Sequence, residues 1–193
     1  MDDKIDGNAT RKETHCHESP TIYIPPLNFA PIVNSSQDII YRSGFPMPLN
    51  YPYLLNTLNL KTIIYLGDKV DLLPQYTEFI EKGEYQFHHL LMNSTTDKNI
   101  QELMEEMLEL VLDKRNYPIL IHSNKGKHRI GVAAGIIRKI LQGWSITGIY
   151  QEYGIFTGNV KGEMDLEFIN SFCVRNPLKV DPKFLPSFIN FET

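Results

Sequence analysis

Only two of the 193 residues are cysteine, Cys16 and Cys173, and they lie near opposite ends of the chain. Two thiols so separated do not form the framework that staples small secreted domains, so a reducing, intracellular setting is expected. Long hydrophobic runs are missing too. No stretch approaches the roughly 20 apolar residues needed to cross a bilayer, and the charged N-terminus lacks the apolar core of a signal peptide. A soluble, cytoplasmic protein without membrane attachment is the expectation. Excess positive charge is also absent: 19 Lys and Arg face 23 Asp and Glu, for a net charge of −4. That balance argues against general nucleic-acid binding, because the basic residues cluster locally instead of forming a broad stripe. No internal repeat interrupts the chain.

What is there divides into a tail, residues 1–19, and a domain, residues 20–193. The tail is polar, mixed in charge and poor in large apolar residues, which predicts disorder. His15-Cys16-His17 within it lacks the ligand spacing of structural zinc sites and reads as solvated. No metal or other cofactor is expected anywhere. From Pro20 onward, strand-like and helix-like segments alternate. Tyr41-Arg42-Ser43-Gly44 ends an early strand in a turn, Thr62-Ile63-Ile64-Tyr65-Leu66 reads as a buried strand, and Leu72 to Lys82 as a helix stopped by Gly83. A further strand runs from Tyr85 to Leu91. Between Asn99 and Asp113, Ile100, Leu103, Met104, Met107, Leu108 and Val111 share one helical stripe, which leaves Glu102, Glu105, Glu106 and Glu109 on a solvated face. Later helices are expected from Ser145, as N-cap, to Tyr153 and from Glu163 to Cys173. The pattern predicts an α/β domain of two or three layers, a central sheet flanked by helices.

The chemistry concentrates in Ile121-His122-Ser123-Asn124-Lys125-Gly126-Lys127-His128-Arg129. The strand-like Pro118-Ile119-Leu120-Ile121-His122 enters this segment, and an apolar helix, Gly131 to Leu141, leaves it. Backbone N–H groups of such a loop point at its centre, the helix adds partial positive charge, and an anion can be held there. Gly126 supplies the positive φ of a sharp turn. Arg129 offers a planar fork to two phosphate oxygens, Lys125, Lys127 and His128 raise the local potential around the rim, and Asn124 completes the phosphate-binding set. The pattern predicts a phosphate-binding loop from Ser123 to Arg129.

With cysteine in place of Ser123, the order His-Cys-x-x-Gly-x-x-Arg would be the signature of cysteine-dependent phosphatases. The longer string Gly126-Lys127-His128-Arg129-x-Gly131, with Ile137-Arg138-Lys139 and Trp144, resembles the plant-and-fungal atypical dual-specificity phosphatases. So do Pro25-Pro26-Leu27-Asn28-Phe29, Tyr41-Arg42-Ser43-Gly44-Phe45-Pro46, Leu60-Lys61-Thr62-Ile63-Ile64-Tyr65-Leu66 and Asp165-x-x-Phe168-Ile169. The likeness covers nearly everything after the first twenty residues. The serine-containing loop most resembles the phosphatase-like branch of the fungal oxidant-induced cell-cycle arrest proteins. The resemblance implies a dual-specificity-phosphatase-like fold. It further implies a cytoplasmic role in oxidant stress and cell-cycle arrest, related phosphatase-like proteins as partners, and phosphotyrosine or inositol pyrophosphate as ligand chemistry.

Two departures bear on catalysis. A thiolate nucleophile starts from a free pKa of about 8.5 and can be lowered to roughly 3.5–7.5 by such a loop. Serine starts far higher and needs an adjacent base or metal. Neither is evident at Ser123, because His122 should point to the opposite face of its strand. Ile130 stands where the family usually has Thr or Ser, a hydroxyl that assists the sulfur. Natural loss of catalysis explains both changes more simply than an engineered serine trap, which would alter the nucleophile alone.

The remaining candidates divide. Asp97 is placed to be either the general acid or a helix cap, and the family's acid-bearing loop is not matched here. Lys161 is the nearest basic residue before Asp165. Arg42 either faces the phosphate site or pairs with a carboxylate. Trp144 and Tyr153 are expected to pack late helices, and His88 and His89 to be one core and one surface residue. Three functions follow: a catalytically inactive phosphatase-like protein that binds a phosphorylated small molecule or phosphoprotein, an active phosphatase, or an interaction protein with a relic loop. The first is preferred.

Overall fold

The computed structural model describes residues 22–68, 72–158 and 162–189. The predicted tail with His15-Cys16-His17, and Lys161, lie outside the described residues.

Five strands form one sheet: β1 (Ala30–Asn34), β2 (Ile39–Ser43), β3 (Thr62–Gly67), β4 (Gln86–Leu91) and β5 (Ile119–Ser123), in the order β1-β2-β5-β3-β4. β1 is an antiparallel edge strand on β2, and the other pairings are parallel. Parallel strands need crossovers that cover both faces, so the inner ones are apolar on both sides. β3 and β5 are accordingly buried along their whole length.

Helices α1 (Tyr51–Thr57), α2 (Pro74–Lys82), α3 (Ile100–Val111), α4 (His128–Leu141), α5 (Ile146–Thr157) and α6 (Glu163–Ser171) complete three layers. Leu54 of α1 and Tyr76 and Phe79 of α2 pack on Ile63 and Leu120 on one face. On the other, Met104, Met107 and Leu108 of α3 join Val132, Ile136 and Ile137 of α4 over Ile64, Ile119 and Ile121. The alternation Ile63/Ile64 and Leu120/Ile121 between the two cores is the period-2 consequence of strand geometry. Ser145 caps α5 by accepting from Gly148 N, as its position predicts, and Gly83 ends α2.

Several expectations are corrected. The acidic face of α3 is not uniformly solvated: Glu105 is buried, and its carboxylate accepts from Arg175 N at 2.7 Å, Asn176 Nδ2 at 2.9 Å and Gln101 Nε2 at 2.8 Å. Glu109 likewise accepts from Lys179 N. These residues bind the segment after α6, whose main-chain donors find acceptors there. The same segment is held at its far end by Asp38, which accepts from Ser187 N and Oγ. Cys173 lies beyond the end of α6 and is exposed. His88 and His89 are both half-buried, and His89 Nε2 meets Gly67 O at 3.0 Å.

The Arg138-Lys139 pair has a structural role. Arg138 is buried, grips Glu152 through two nitrogens at 3.0 and 2.8 Å, reaches Ile32 O, and lies over the Trp144 ring. Lys139 Nζ donates to the carbonyls of Ile169, Asn170 and Phe172, satisfying the unpaired end of α6.

Candidate functional site

In a parallel sheet, ligands bind beyond the carboxyl ends of the strands. Here those ends bring together Ser43-Gly44-Phe45 after β2, Asp68 after β3, Asn93 after β4 and Ser123 to Lys127 after β5. A cavity of about 290 Å³ at this edge is lined by Asn93, Ser123, Asn124, Lys127, His128 and Arg129, among others.

The loop is shaped from outside. Its three consecutive carbonyls are each drawn away from the centre: Asn124 O accepts from Phe45 N at 3.2 Å, Lys125 O from Asn28 Nδ2 at 2.8 Å, and Gly126 O from Arg42 Nη2 at 3.2 Å. Peptide planarity then turns the intervening N–H groups the other way. The amides of Lys125, Gly126 and Lys127 donate to no acceptor among the described residues. Amide donors left open at the start of a helix are an arrangement that can receive an anion.

Gly126 is required twice. Its φ is +69°, and a Cβ there would stand 2.5 Å from Gly44 N and 2.8 Å from Ser43 C. Gly44 is itself closed in by Leu27 O and the Lys125 main chain, and its N–H bonds Leu27 O at 2.7 Å. The two N-terminal family-like motifs, Pro25–Phe29 and Tyr41–Pro46, are thus the seat of the loop.

Arg42 neither faces the cavity nor pairs with a carboxylate. It is 1 % exposed, and its guanidinium lies 3.6 Å from the Phe156 ring centroid. Burial lowers its pKa to about 10, so it remains charged at neutral pH. Sequence reasoning offered two roles, and the structure gives a third, bracing the loop carbonyl from below.

Ser123 is buried at the end of β5, and its hydroxyl has no hydrogen-bond partner among the described residues. His122 points away into the opposite core, where Nε2 meets the Tyr76 hydroxyl at 2.6 Å and its ring stacks on Tyr65. Burial, with a smaller contribution from His89, pushes His122 down to about 3, so it is neutral. His128 is turned by Nδ1 toward the Tyr153 hydroxyl at 2.8 Å and Asp165 at 3.2 Å, while Tyr153 also donates to Asp165. Tyr153 therefore does more than pack: its hydroxyl joins His128 and Asp165 in a polar cluster in the wall of a second cleft of about 690 Å³. Trp144 stays with Arg138. Ile130 is completely buried in the core beneath the loop.

Asp97 is tied up locally. Its Oδ2 accepts from Asn93 N at 2.8 Å and Ser94 N at 3.1 Å, closing the turn after β4, while α3 begins at Ile100 without a side-chain cap. Lys125 is exposed and Lys127 half-exposed at the rim.

Arg129 carries the feature that sequence reasoning missed. Its Nη1 donates to Asp68 Oδ1 at 3.1 Å and its Nη2 to Asn93 O at 2.7 Å. Asp68 also accepts from Asn124 Nδ2 at 2.8 Å, and Asn124 Oδ1 accepts from the Tyr65 hydroxyl at 2.6 Å. The Asn124 amide, then the Arg129 guanidinium, holds the Asp68 carboxyl below its ordinary value. The available hint was positional: Asp68 follows a buried parallel strand at its carboxyl end. Among the described residues, no group of three or more His, Cys, Asp or Glu could hold a metal ion.

Residues 23–185 match the tyrosine phosphatase family. The chain belongs to that family. It is 55% identical over 166 residues to the tyrosine-protein phosphatase-like protein OCA2 of Saccharomyces cerevisiae, covering 86% of this chain and 83% of that one. It is 34% identical to the inositol diphosphatase DSP2 of Oryza sativa subsp. japonica, over 80% and 74% of the two chains. The crystal structure of the core catalytic domain of the PP-IP phosphatase SIW14 from S. cerevisiae, in complex with citrate, superposes with a TM-score of 0.72. It is 35% identical and covers 80% of this chain and 91% of that one. The plant-and-fungal phosphatase resemblance and the α/β fold read from sequence are thereby shown. No described helix is long and apolar enough to cross a membrane.

Proposed function

We propose that this family member holds a phosphate group in the Ser123–Arg129 loop without turning it over, acting as a regulator or scaffold. The ligand is a phosphorylated small molecule of the inositol pyrophosphate type or a phosphoprotein, and related phosphatase-like proteins are the fitting partners. Oxidant-stress and cell-cycle-arrest physiology in the cytoplasm is the setting this reading implies.

One observation carries it. The cradle is fully braced at Asn124, Lys125 and Gly126, while Ser123 inside it has neither a base nor the hydroxyl that Ile130 replaces. A loop kept in shape around an unassisted serine suits binding better than attack on phosphorus. Asp97, spent on the backbone of Asn93 and Ser94, is likewise not set to protonate a leaving group. The names of the relatives, an inositol diphosphatase and a PP-IP phosphatase, support a phosphorylated ligand.

Calorimetric titration with a phosphotyrosine peptide and an inositol pyrophosphate tests the reading. Saturable binding to one of them, weakened at least about tenfold in Arg129→Ala, is expected. Binding to neither overturns it.

A further inference from the structure

Arg129 is already paired with an anion. Both ends of its planar fork are directed across the mouth of the loop, Nη1 to Asp68 and Nη2 to Asn93 O. The Asp68 oxygen that accepts from Arg129 also accepts from Asn124 Nδ2, whose carboxamide is fixed by Tyr65. One carboxylate thus bridges two residues of the phosphate loop, Asn124 and Arg129, from the end of β3.

The partners differ in exposure. Arg129 is anchored in the first turn of α4, and its side chain is only 17% exposed, whereas that of Asp68 is 42% exposed. An incoming phosphate oxygen that takes Arg129 Nη1 must displace the Asp68 oxygen or share the donor with it. Two anions on one donor repel each other, and only one of them is free to leave.

We propose that Asp68 is an internal competitor for the phosphate subsite and thereby sets which anions enter it, an inference that rests on the phosphate-binding reading above. A singly charged group with one oxygen to offer gains nothing over the carboxylate in place. A dianionic phosphate presents more oxygens and more charge, so it displaces Asp68 and takes Arg129 and the loop amides together. Displacement also frees Asn124 Nδ2. The ligand class is therefore a terminal phosphomonoester or the outer phosphate of a diphosphate, in its dianionic form.

The test is a titration of the intact chain with inorganic phosphate at neutral pH, for the wild type, Asp68→Asn and Asp68→Ala. Asp68→Asn keeps an acceptor for Arg129 and removes the charge, while Asp68→Ala removes both. Binding about tenfold tighter in both variants is expected, with the gain shrinking as salt is raised. A gain in one variant alone also supports the proposal: in Asp68→Ala alone the acceptor itself competes, and in Asp68→Asn alone the charge competes while the retained amide still orients Arg129 and Asn124. Equal or weaker binding in both variants overturns it, and saturable wild-type binding then leaves the phosphate-binding reading standing. No binding by any of the three chains overturns both.

Discussion

Arg42 and Gly126 are 84 residues apart in the chain and 3.2 Å apart in the fold, joined by a guanidinium nitrogen and a loop carbonyl in a fully buried setting. The contact connects the shape of the loop to the inner face of α5, because the same guanidinium rests on Phe156. Replacing Arg42 by Ala should cost at least about 1.5–3 kcal/mol, the range for a buried hydrogen bond from a charged donor. Urea unfolding measures this. The same variant should bind phosphate more weakly, since Gly126 O is then free to rotate inward. A variant with unchanged midpoint and unchanged affinity would remove Arg42 from the account.

Gly126→Ala should be more damaging to the site than to the fold. Its φ of +69° disfavours any side chain, and the added methyl meets the Gly44 nitrogen at 2.5 Å. The strain is of order 1–3 kcal/mol, and it falls on the segment that orients the loop amides. Amide exchange should accelerate around residues 124–127 while the core strands keep their protection.

The pH dependence should reside partly in Glu105. Donation from Arg175 N, then Asn176, lowers its pKa from 4.5 to about 2. A folded value below the unfolded one stabilises the native state, fully above about 4.5, and the contribution is lost as the pH falls toward 2. Glu105→Gln should therefore lower the urea midpoint at pH 7, and its deficit should shrink at pH 3. A deficit constant across that range would contradict this. Limited proteolysis after α6 should report the same loosening of the segment that Glu105 holds.

Restoring catalysis should take two changes. Ser123→Cys alone should leave hydrolysis of a simple aryl phosphate weak, and Ile130→Thr added to it should raise the rate about tenfold or more, the worth of a hydrogen bond to the reacting sulfur. Because Ile130 is completely buried, the threonine should also cost about 1–3 kcal/mol of stability. Full turnover in Ser123→Cys alone would mean that only the nucleophile had been altered.

Much of this was legible in the chain because it is local. A strand-like run, Gly126 and an apolar helix specify a loop at a helix start whatever surrounds them. β3, α3 and α5 likewise showed their periodicity or caps. β1 was not legible: five residues with Pro31 inside form an edge strand, where a missing N–H is tolerated and no alternation need show. α1 carries Pro52 and no side-chain cap, so it lacks a start that sequence can reveal. Glu105 looked like a solvated residue because its partners, Arg175 and Asn176, come 70 and 71 residues later. At the site, Asn28 and Gly44 stood inside recognisable motifs, but their task depends on Lys125 and Gly126 arriving from elsewhere. Asp68 belonged to no motif, and its pairing with Arg129 spans 61 positions, beyond the reach of any local rule.

Binding without turnover can be observed in a single experiment. Phosphorus NMR of an inositol pyrophosphate or a phosphotyrosine peptide, incubated with substoichiometric protein, reports ligand exchange and product in one spectrum. The account predicts broadening of the ligand resonance that Arg129→Ala abolishes, with no inorganic phosphate signal growing over hours. An inorganic phosphate signal that rises in proportion to the protein, and vanishes in Ser123→Ala, would contradict it.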